Sequence, residues 1–131
     1  MTTVVLVAHA PLASTFSGLG GHCFEKAAAS LKVLDVQPSE QIDDVAQRLR
    51  ALLPGEPDAD VLVLADTVGA TPYNGARQVA DGDPRVRVIA GLNLPMLWRT
   101  LCYLGEPIDK LCSLALDGGV EGINRSRPGA A

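Results

Sequence analysis

The chain has 131 residues, the size of a single domain with one hydrophobic core. Hydrophobic residues make up 47% of it and charged residues 20%, which excludes a disordered chain, and with only 4% aromatic residues the core has to be aliphatic. The formal net charge of -4, with no local run of Lys or Arg, argues against a general nucleic-acid binder.

The N-terminus and the cysteines narrow the class of protein further. The chain starts a strand at once, without the basic segment of a secretory signal, and no stretch reaches the roughly 20 apolar residues of a membrane span. We therefore expect a cytoplasmic protein with no direct membrane insertion. Cys23, Cys102 and Cys112 form no CxxC pair and only two histidines accompany them, so we expect buried reduced thiols, no metal site and no cofactor.

The first part of the chain predicts a strand and a helix. Val4–Ala8 is an apolar, β-branched run typical of a strand buried on both faces. Pro11 suits the first turn of the helix that follows, in which apolar residues recur at helical spacing as far as Ala27. Three glycines weaken the middle of this helix: Gly18, Gly20 and Gly21.

A second strand and a second helix come next. Lys32–Val36 predicts a short strand, and the Pro38-Ser39 pair offers an N-cap for the helix after it. Pro54-Gly55 ends that helix. Its core-facing stripe is marked by apolar residues at helical spacing: Ile42, Val45, Ala46, Leu49 and Leu52.

The same alternation continues through the middle of the chain. Val61–Ala65 predicts a third buried strand, and a loop over residues 66–71 follows it. We expect the next helix to begin at Pro72, with Thr71 as its N-cap, because proline is favoured at the first helical position.

The last part of the chain predicts one more strand and two helices. Val86–Ala90 forms the fourth strand, Asn93 caps the helix after it, and a final helix begins near Ile108. We expect a single domain over residues 1–125 and a flexible tail over residues 126–131.

Strands that alternate with helices predict an α/β fold with a doubly wound, mainly parallel sheet and helices on both faces. In such folds ligands bind beyond the carboxyl ends of the strands, where the strand order reverses. The residues at those ends are His9 after the first strand, Asp66 after the third and Gly91 after the fourth. These three loops should therefore meet at one edge of the sheet.

The residues at this edge suggest a chemistry. The helix after Thr71 offers free N–H groups to an anion, and Gly69 carries no side chain to block one. Asp66 would repel that anion, so we expect it to face His9, where it fixes the tautomer and leaves the other ring nitrogen as a nucleophile. The hydroxyl groups of Thr67 and Thr71 can then hold phosphoryl oxygens. Which ring nitrogen meets the carboxylate stays open at this point.

Three segments carry a family resemblance: VVLVAHAP around His9, DTVGATPYN over Asp66–Asn74 and AGLNLPML over Ala90–Leu97. In this order and spacing they resemble the EIIA component of the mannose-type sugar phosphotransferase system (PTS), and the likeness covers residues 3–125. The chain departs from transport members of that family at Ala10-Pro11, where a glycine often follows the histidine, and at Val68, where a tryptophan is common.

The resemblance implies a phosphotransferase that acts as a phosphohistidine carrier. His9 would accept a phosphoryl group from the small carrier HPr and pass it to an EIIB-type protein, and Asp66 would orient the ring. Thr67, Gly69 and Thr71 match the family's phosphoryl-binding loop. The family also implies a homodimer and a doubly wound sheet.

Other functions stay open at the level of sequence. The chain would serve equally as a regulatory binding module whose phosphorylation state controls a partner, or as the phosphocarrier subunit of a dihydroxyacetone kinase. A flavin- or nucleotide-binding module is disfavoured because its first loop should be rich in Ser, Thr and Gly, whereas this one reads His9-Ala10-Pro11. A hydrolase that uses His9 and Asp66 lacks a Ser or Cys nucleophile at a strand end.

Overall fold

Four parallel strands form the centre of the protein, as seen in a computed structural model that describes residues 2–129. Their bounds are β1 Thr3–His9, β2 Lys32–Val36, β3 Val61–Ala65 and β4 Val86–Ala90. The last three coincide with the predicted strands. β1 is one residue longer at each end, because Thr3 pairs with Val61 of β3 and His9 pairs with Val36 of β2. His9 is therefore the last residue of the strand.

The order of the strands in the sheet is β2-β1-β3-β4, and every neighbouring pair is parallel. From β1 the chain crosses to β2 on one side, and from β3 it crosses to β4 on the other. The strand order therefore reverses between β1 and β3, which creates the crevice where doubly wound folds bind ligands. The predicted fold class and the predicted neighbourhood of these two strands are confirmed.

In residues 2–129, six helices cover the two faces of the sheet. They are α1 Leu12–Cys23, α2 Glu25–Ala28, α3 Ile42–Leu52, α4 Thr71–Gly82, α5 Leu94–Cys102 and α6 Ile108–Glu121. Alternate residues of β1 supply the two cores, since Val4, Leu6 and Ala8 pack with α1, α5 and α6, whereas Val5 and Val7 pack with α3 and α4. This alternation explains why β1 is apolar from Val4 to Ala8.

The first predicted helix is two helices in the structure. α1 includes the three glycines and ends at Cys23, and the short α2 follows Phe24. A Cβ atom at Gly20 would lie 3.3 Å from Leu101 and 3.8 Å from Leu97, so glycine allows α1 to approach α5 closely. That tertiary contact offsets the low helix propensity of the glycine.

Two predicted helix starts are wrong in detail. α3 is capped at Gln41, whose N–H donates to the Asp44 carboxylate at 2.9 Å, and Ser39 lies outside the helix. α4 begins at Thr71 with Ala70 in the N-cap position, one residue earlier than predicted. Proline is tolerated at the second helical position as well, because the N–H groups of the whole first turn lack helical acceptors.

The cap of α5 is as predicted: the Asn93 side chain accepts a hydrogen bond from the Met96 N–H at 2.9 Å. The three cysteines are free thiols, as expected, but the expectation that they are buried is wrong, since Cys23 and Cys102 are exposed and Cys112 is half-buried. Cys23 and Cys102 lie at the C-terminal ends of α1 and α5, whereas Cys112 of α6 packs partly against the core.

The described helices include none that is both long and apolar enough to cross a membrane. Residues 126–129 form neither helix nor strand, and the last two residues of the predicted tail lie outside the described residues.

Candidate functional site

The crevice between β1 and β3 contains His9 and Asp66. His9 ends β1, and Asp66 directly follows β3, whose last residue, Ala65, pairs with Val7. Because the strands are parallel neighbours, the two side chains emerge at the same edge of the sheet. The strand order alone therefore brings the histidine and the carboxylate together, because each lies at the end of its own strand.

The Asp66 side chain makes three hydrogen bonds at this edge. Its Oδ2 accepts the backbone N–H of His9 at 2.9 Å and lies 2.7 Å from Nδ1 of the same residue. Its Oδ1 accepts the backbone N–H of Thr67 at 2.8 Å. The Asp66 side chain is only 8% exposed, whereas the His9 side chain is 55% exposed. The carboxylate is therefore held in place beneath an accessible ring.

Burial and hydrogen bonding act in opposite directions on Asp66. Burial raises the pKa of its carboxyl group, but the hydrogen bonds from the His9 N–H, the His9 ring and the Thr67 N–H lower it by more, so the net pKa lies below the ordinary value. The group is consequently an anion at neutral pH and acts only as an acceptor.

This contact selects the tautomer of His9. An ionised carboxylate has no proton to donate, so in the neutral ring Nδ1 carries the proton and donates it to Asp66. Nε2 is then the ring nitrogen with a free lone pair. The structure thereby answers the question that the sequence left open.

The loop after Asp66 leads into the N-terminus of α4. Gly69 has φ +85°, a left-handed conformation that favours glycine, and its carbonyl accepts the Asn74 side-chain N–H at 3.0 Å. Thr67 is exposed and Thr71, the first residue of α4, is half-buried. The loop thus presents two hydroxyl groups and the first-turn N–H groups of a helix near His9.

The loop after β4 closes the other side of the crevice. The Gly91 N–H donates to the Asp66 carbonyl at 3.1 Å, and the Leu92 N–H donates to the Ala65 carbonyl at 2.9 Å. Gly91 has φ +90°, so glycine is again the residue that suits this turn. Asn93 links this loop to two helices, because its side chain caps α5 and donates to the Gly119 carbonyl of α6 at 3.0 Å.

Two supporting interactions were not anticipated from the sequence. The first is the hydrogen bond from the Asn74 side chain to the Gly69 carbonyl. The signal for it was an asparagine five residues after the glycine, inside the segment DTVGATPYN. On β2, the Asp35 carboxylate accepts the Ser14 N–H at 3.1 Å and also its hydroxyl, so it caps the start of α1 from a different element. A carboxylate next to the last residue of a short strand was the signal for that contact.

The described residues hold no group of three or more His, Cys, Asp or Glu side chains with the spacing of a metal site. The chemistry available at this edge is that of one nucleophilic imidazole nitrogen, a carboxylate behind it, and hydroxyl and N–H donors beside it.

Comparisons with known proteins agree with this geometry. The profile of the EIIA-man family, described as PTS system fructose IIA component, matches residues 3–106. The PTS system mannose-specific EIIAB component of Escherichia coli (strain K12) is 33% identical over 93 residues, covering 69% of this chain and 29% of that protein. The chain thus spans less than a third of the length of that relative.

A second relative is closer in length. The PTS system sorbose-specific EIIA component of Klebsiella pneumoniae is 28% identical over 96 residues, covering 73% of this chain and 70% of that protein. Among solved structures, the mannose/sorbose-specific IIA subunit from Enterococcus faecalis superposes with a TM-score of 0.87 at 24% identity, covering 96% of this chain and 95% of that one. At this identity the structural likeness establishes the fold.

The family profile covers well over half of the chain, and its match includes β1 through α5 and both His9 and Asp66. The chain belongs to the EIIA-man family, the mannose-type IIA components of the sugar phosphotransferase system.

Proposed function

We propose that the protein is a phosphohistidine carrier in which His9 accepts a phosphoryl group from HPr and passes it to an EIIB-type protein. The observation that carries this proposal is the 2.7 Å contact between His9 Nδ1 and the buried Asp66 carboxylate, on a ring that is otherwise exposed. This arrangement provides a nucleophile and keeps it accessible to another protein.

The transfer step follows from that arrangement. The lone pair of His9 Nε2 attacks phosphorus, the bond from phosphorus to the donor atom of HPr breaks, and its electron pair leaves with the donor. The ring gains positive charge as the new P–N bond forms, and the Asp66 anion stabilises that charge through Nδ1–H. The second transfer has the same form, with Nε2 as the leaving group and the EIIB-type protein as acceptor.

The loop over residues 66–71 is proposed to hold the phosphoryl oxygens. The hydroxyl groups of Thr67 and Thr71 and the first-turn N–H groups of α4 are donors, and Gly69 leaves room for the anion. Positioning and charge stabilisation of this kind supply most of what phosphoryl transfer requires.

We also propose that the protein is a homodimer. Within the described chain β4 pairs on one side only, with β3, so one edge of this strand is free. α6 carries an exposed apolar stripe, formed by Leu116 and Val120 of the helix and continued by Ile123 two residues after its end, which are 51%, 63% and 75% exposed. A second copy that covers such surfaces would remove apolar side chains from water.

The test of the carrier function is phosphorylation with phosphoenolpyruvate, enzyme I and HPr, read by intact mass. Wild type should gain one acid-labile phosphoryl group, and His9→Ala should gain none while keeping its circular dichroism spectrum, because an exposed strand-end residue contributes little to the core. Phosphorylation of His9→Ala to the level of wild type would refute the assignment. Addition of a candidate EIIB-type protein should then remove the label from wild type.

A further inference from the structure

Packing holds the loop over residues 66–71 only weakly at its tip. Val68 is 69% exposed, and a Cβ atom placed on Gly69 would have no neighbouring atom within 4 Å. Gly69 has φ +85°, and a glycine restricts its own backbone less than any other residue does. The orientation of the peptide groups at the tip therefore depends on hydrogen bonds.

Two hydrogen bonds restrain the peptide group between Gly69 and Ala70. Its N–H, which belongs to Ala70, donates to the Thr67 carbonyl at 3.3 Å and closes a four-residue turn. Its carbonyl, which belongs to Gly69, accepts the side-chain N–H of Asn74 at 3.0 Å. Within residues 2–129, Asn74 is the one residue outside the loop whose side chain makes a hydrogen bond to any of residues 67–71.

The backbone of Asn74 restrains the next peptide group as well. The Asn74 N–H donates to the Ala70 carbonyl at 2.9 Å. In a trans peptide group the N–H points away from the carbonyl, so the Thr71 N–H points out of the N-terminus of α4. In the described part of the chain no hydrogen bond uses the N–H groups of Gly69 and Thr71. Both groups are therefore available to an anion.

The side chain of Asn74 controls where the Gly69 carbonyl points. A carbonyl oxygen carries partial negative charge, so it would repel phosphoryl oxygens if its peptide group turned toward them. The carbonyl has only lone pairs to offer, so the atom of Asn74 that meets it is the NH2 group. An asparagine at this position thus keeps the carbonyl on the side of α4.

We infer that Asn74 is a positioning residue for phosphoryl transfer: it fixes the Gly69–Ala70 peptide group so that the loop offers N–H groups, and no carbonyl, to the phosphoryl oxygens. This role rests on the proposed carrier function and deepens it. Asn74 acts through the loop and does not itself touch the phosphoryl group.

The first test is the rate of phosphorylation by phospho-HPr, measured by rapid quench over a range of phospho-HPr concentrations. Asn74→Ala should lower the limiting rate constant about tenfold, because the loop no longer holds the phosphoryl group in line. The phospho-HPr concentration at half-saturation should stay within about twofold, because the lost interaction acts in the transition state. Asn74→Asp keeps the shape of the side chain without its donor, so its limiting rate constant should fall at least as far.

The matched control is Gln78→Ala. Gln78 lies one turn further along α4, and its side-chain amide donates to the Asp43 carboxylate of α3 at 3.0 Å. This change also removes one amide hydrogen bond from the same helix, so both alanine variants should lose similar stability in urea. Only Gln78→Ala should keep the wild-type rate. A wild-type rate in Asn74→Ala, or an equal loss of rate in both variants, would overturn the positioning role.

A spectroscopic measurement separates positioning from stability. In 15N-labelled wild type, phosphorylation should shift the amide protons of Gly69 and Thr71 downfield, as hydrogen bonds to a charged acceptor do. In Asn74→Ala, which is phosphorylated more slowly, the same shifts should be much smaller. Shifts of equal size in both proteins would refute the inference, because the loop would then reach the phosphoryl group without Asn74. If wild type is not phosphorylated at all, the carrier function itself fails and the positioning role fails with it.

Discussion

At the scale of single residues, the site depends on the unequal surroundings of the two nitrogens of one histidine. Nδ1 of His9 lies 2.7 Å from a carboxylate that is almost fully buried, while the ring as a whole is more than half exposed. Asp66 also accepts two backbone N–H groups, so its position does not depend on the histidine ring alone. The carboxylate is therefore preorganised before any phosphoryl group arrives.

Replacement of Asp66 should slow transfer without abolishing it. Asp66→Ala removes the group that orients the ring and stabilises its developing charge, but Nε2 remains. We expect the phosphorylation rate with phospho-HPr to fall roughly 10- to 100-fold, the range for a misaligned reacting group, as measured by rapid quench. The phosphorylation rate of Asp66→Asn should lie between those of Asp66→Ala and wild type, because asparagine keeps an acceptor oxygen. A rate equal to that of wild type would remove Asp66 from the mechanism.

The lowered pKa of Asp66 also predicts a pH dependence of stability. A carboxyl group whose pKa is lower in the folded state stabilises the fold fully above its unfolded pKa, about 3.9, and that contribution is lost as the pH falls through the folded pKa. At pH 7 we expect Asp66→Ala to lower the free energy of unfolding by about 2 kcal/mol, a value typical of hydrogen bonds to a charged group.

Urea denaturation of wild type and Asp66→Ala at pH 7 and at pH 3 measures this contribution. The difference between the two proteins should shrink at pH 3, since other carboxyl groups titrate alike in both and cancel. If the difference in unfolding free energy between the two proteins is the same at pH 7 and pH 3, ionisation of Asp66 does not contribute to stability.

At the scale of elements, close approaches between helices set the geometry around the site. α4, whose N-terminus faces the crevice, packs on α3 at Gly75. A Cβ atom at Gly75 would lie 2.5 Å from Val45 Cγ1 and 3.2 Å from the Ile42 carbonyl. Because Val45 is fully buried, it has no free space to move into.

Gly75→Ala should therefore destabilise the protein despite the better helix propensity of alanine. We expect the free energy of unfolding to fall by roughly 1–3 kcal/mol, the usual cost of overpacking, as measured by urea denaturation. Gly18→Ala is the control, because Gly18 is also helical and has no atom within 4 Å of an added Cβ. That change should stabilise by up to about 1 kcal/mol. Equal effects of the two substitutions would contradict the close packing of α3 on α4.

At the scale of the whole molecule, the free edge of β4 and the apolar stripe of α6 are the surfaces that a second copy of the chain would cover in the proposed dimer. Leu116→Arg should shift the protein toward the monomer. The free-energy cost of burying an unpaired charge in the dimer contact exceeds the stabilisation that the contact provides. Ile42→Arg, on the opposite face of the sheet and similarly exposed, should leave the dimer intact. Light scattering after gel filtration measures both, and a wild-type mass of one chain at micromolar concentration would contradict the dimer.

Strong local signals in the sequence were sufficient for most of the architecture. β3 begins and ends where its apolar run does, because a central parallel strand covered on both faces needs apolar residues throughout. The edge strands β2 and β4 include charged residues, and β-branched residues were the signal that located them. Asn93 could be recognised as a cap because its side chain acts on a residue three positions away. The caps of α3 and α4 were missed since several residues in those loops have similar preferences, and the packing of the helix decides among them.

The sequence by itself determined that His9, Asp66 and Gly91 meet at one edge, because alternating strands and helices allow few topologies and parallel strands end on the same side. Only the tertiary structure decided that Asp66 faces Nδ1, which leaves Nε2 as the nucleophile, and that Cys23 and Cys102 lie on the surface. These outcomes depend on the orientation of side chains and on which helix covers which face. Both are consequences of packing between residues far apart in the chain, and local sequence patterns carry no information about them.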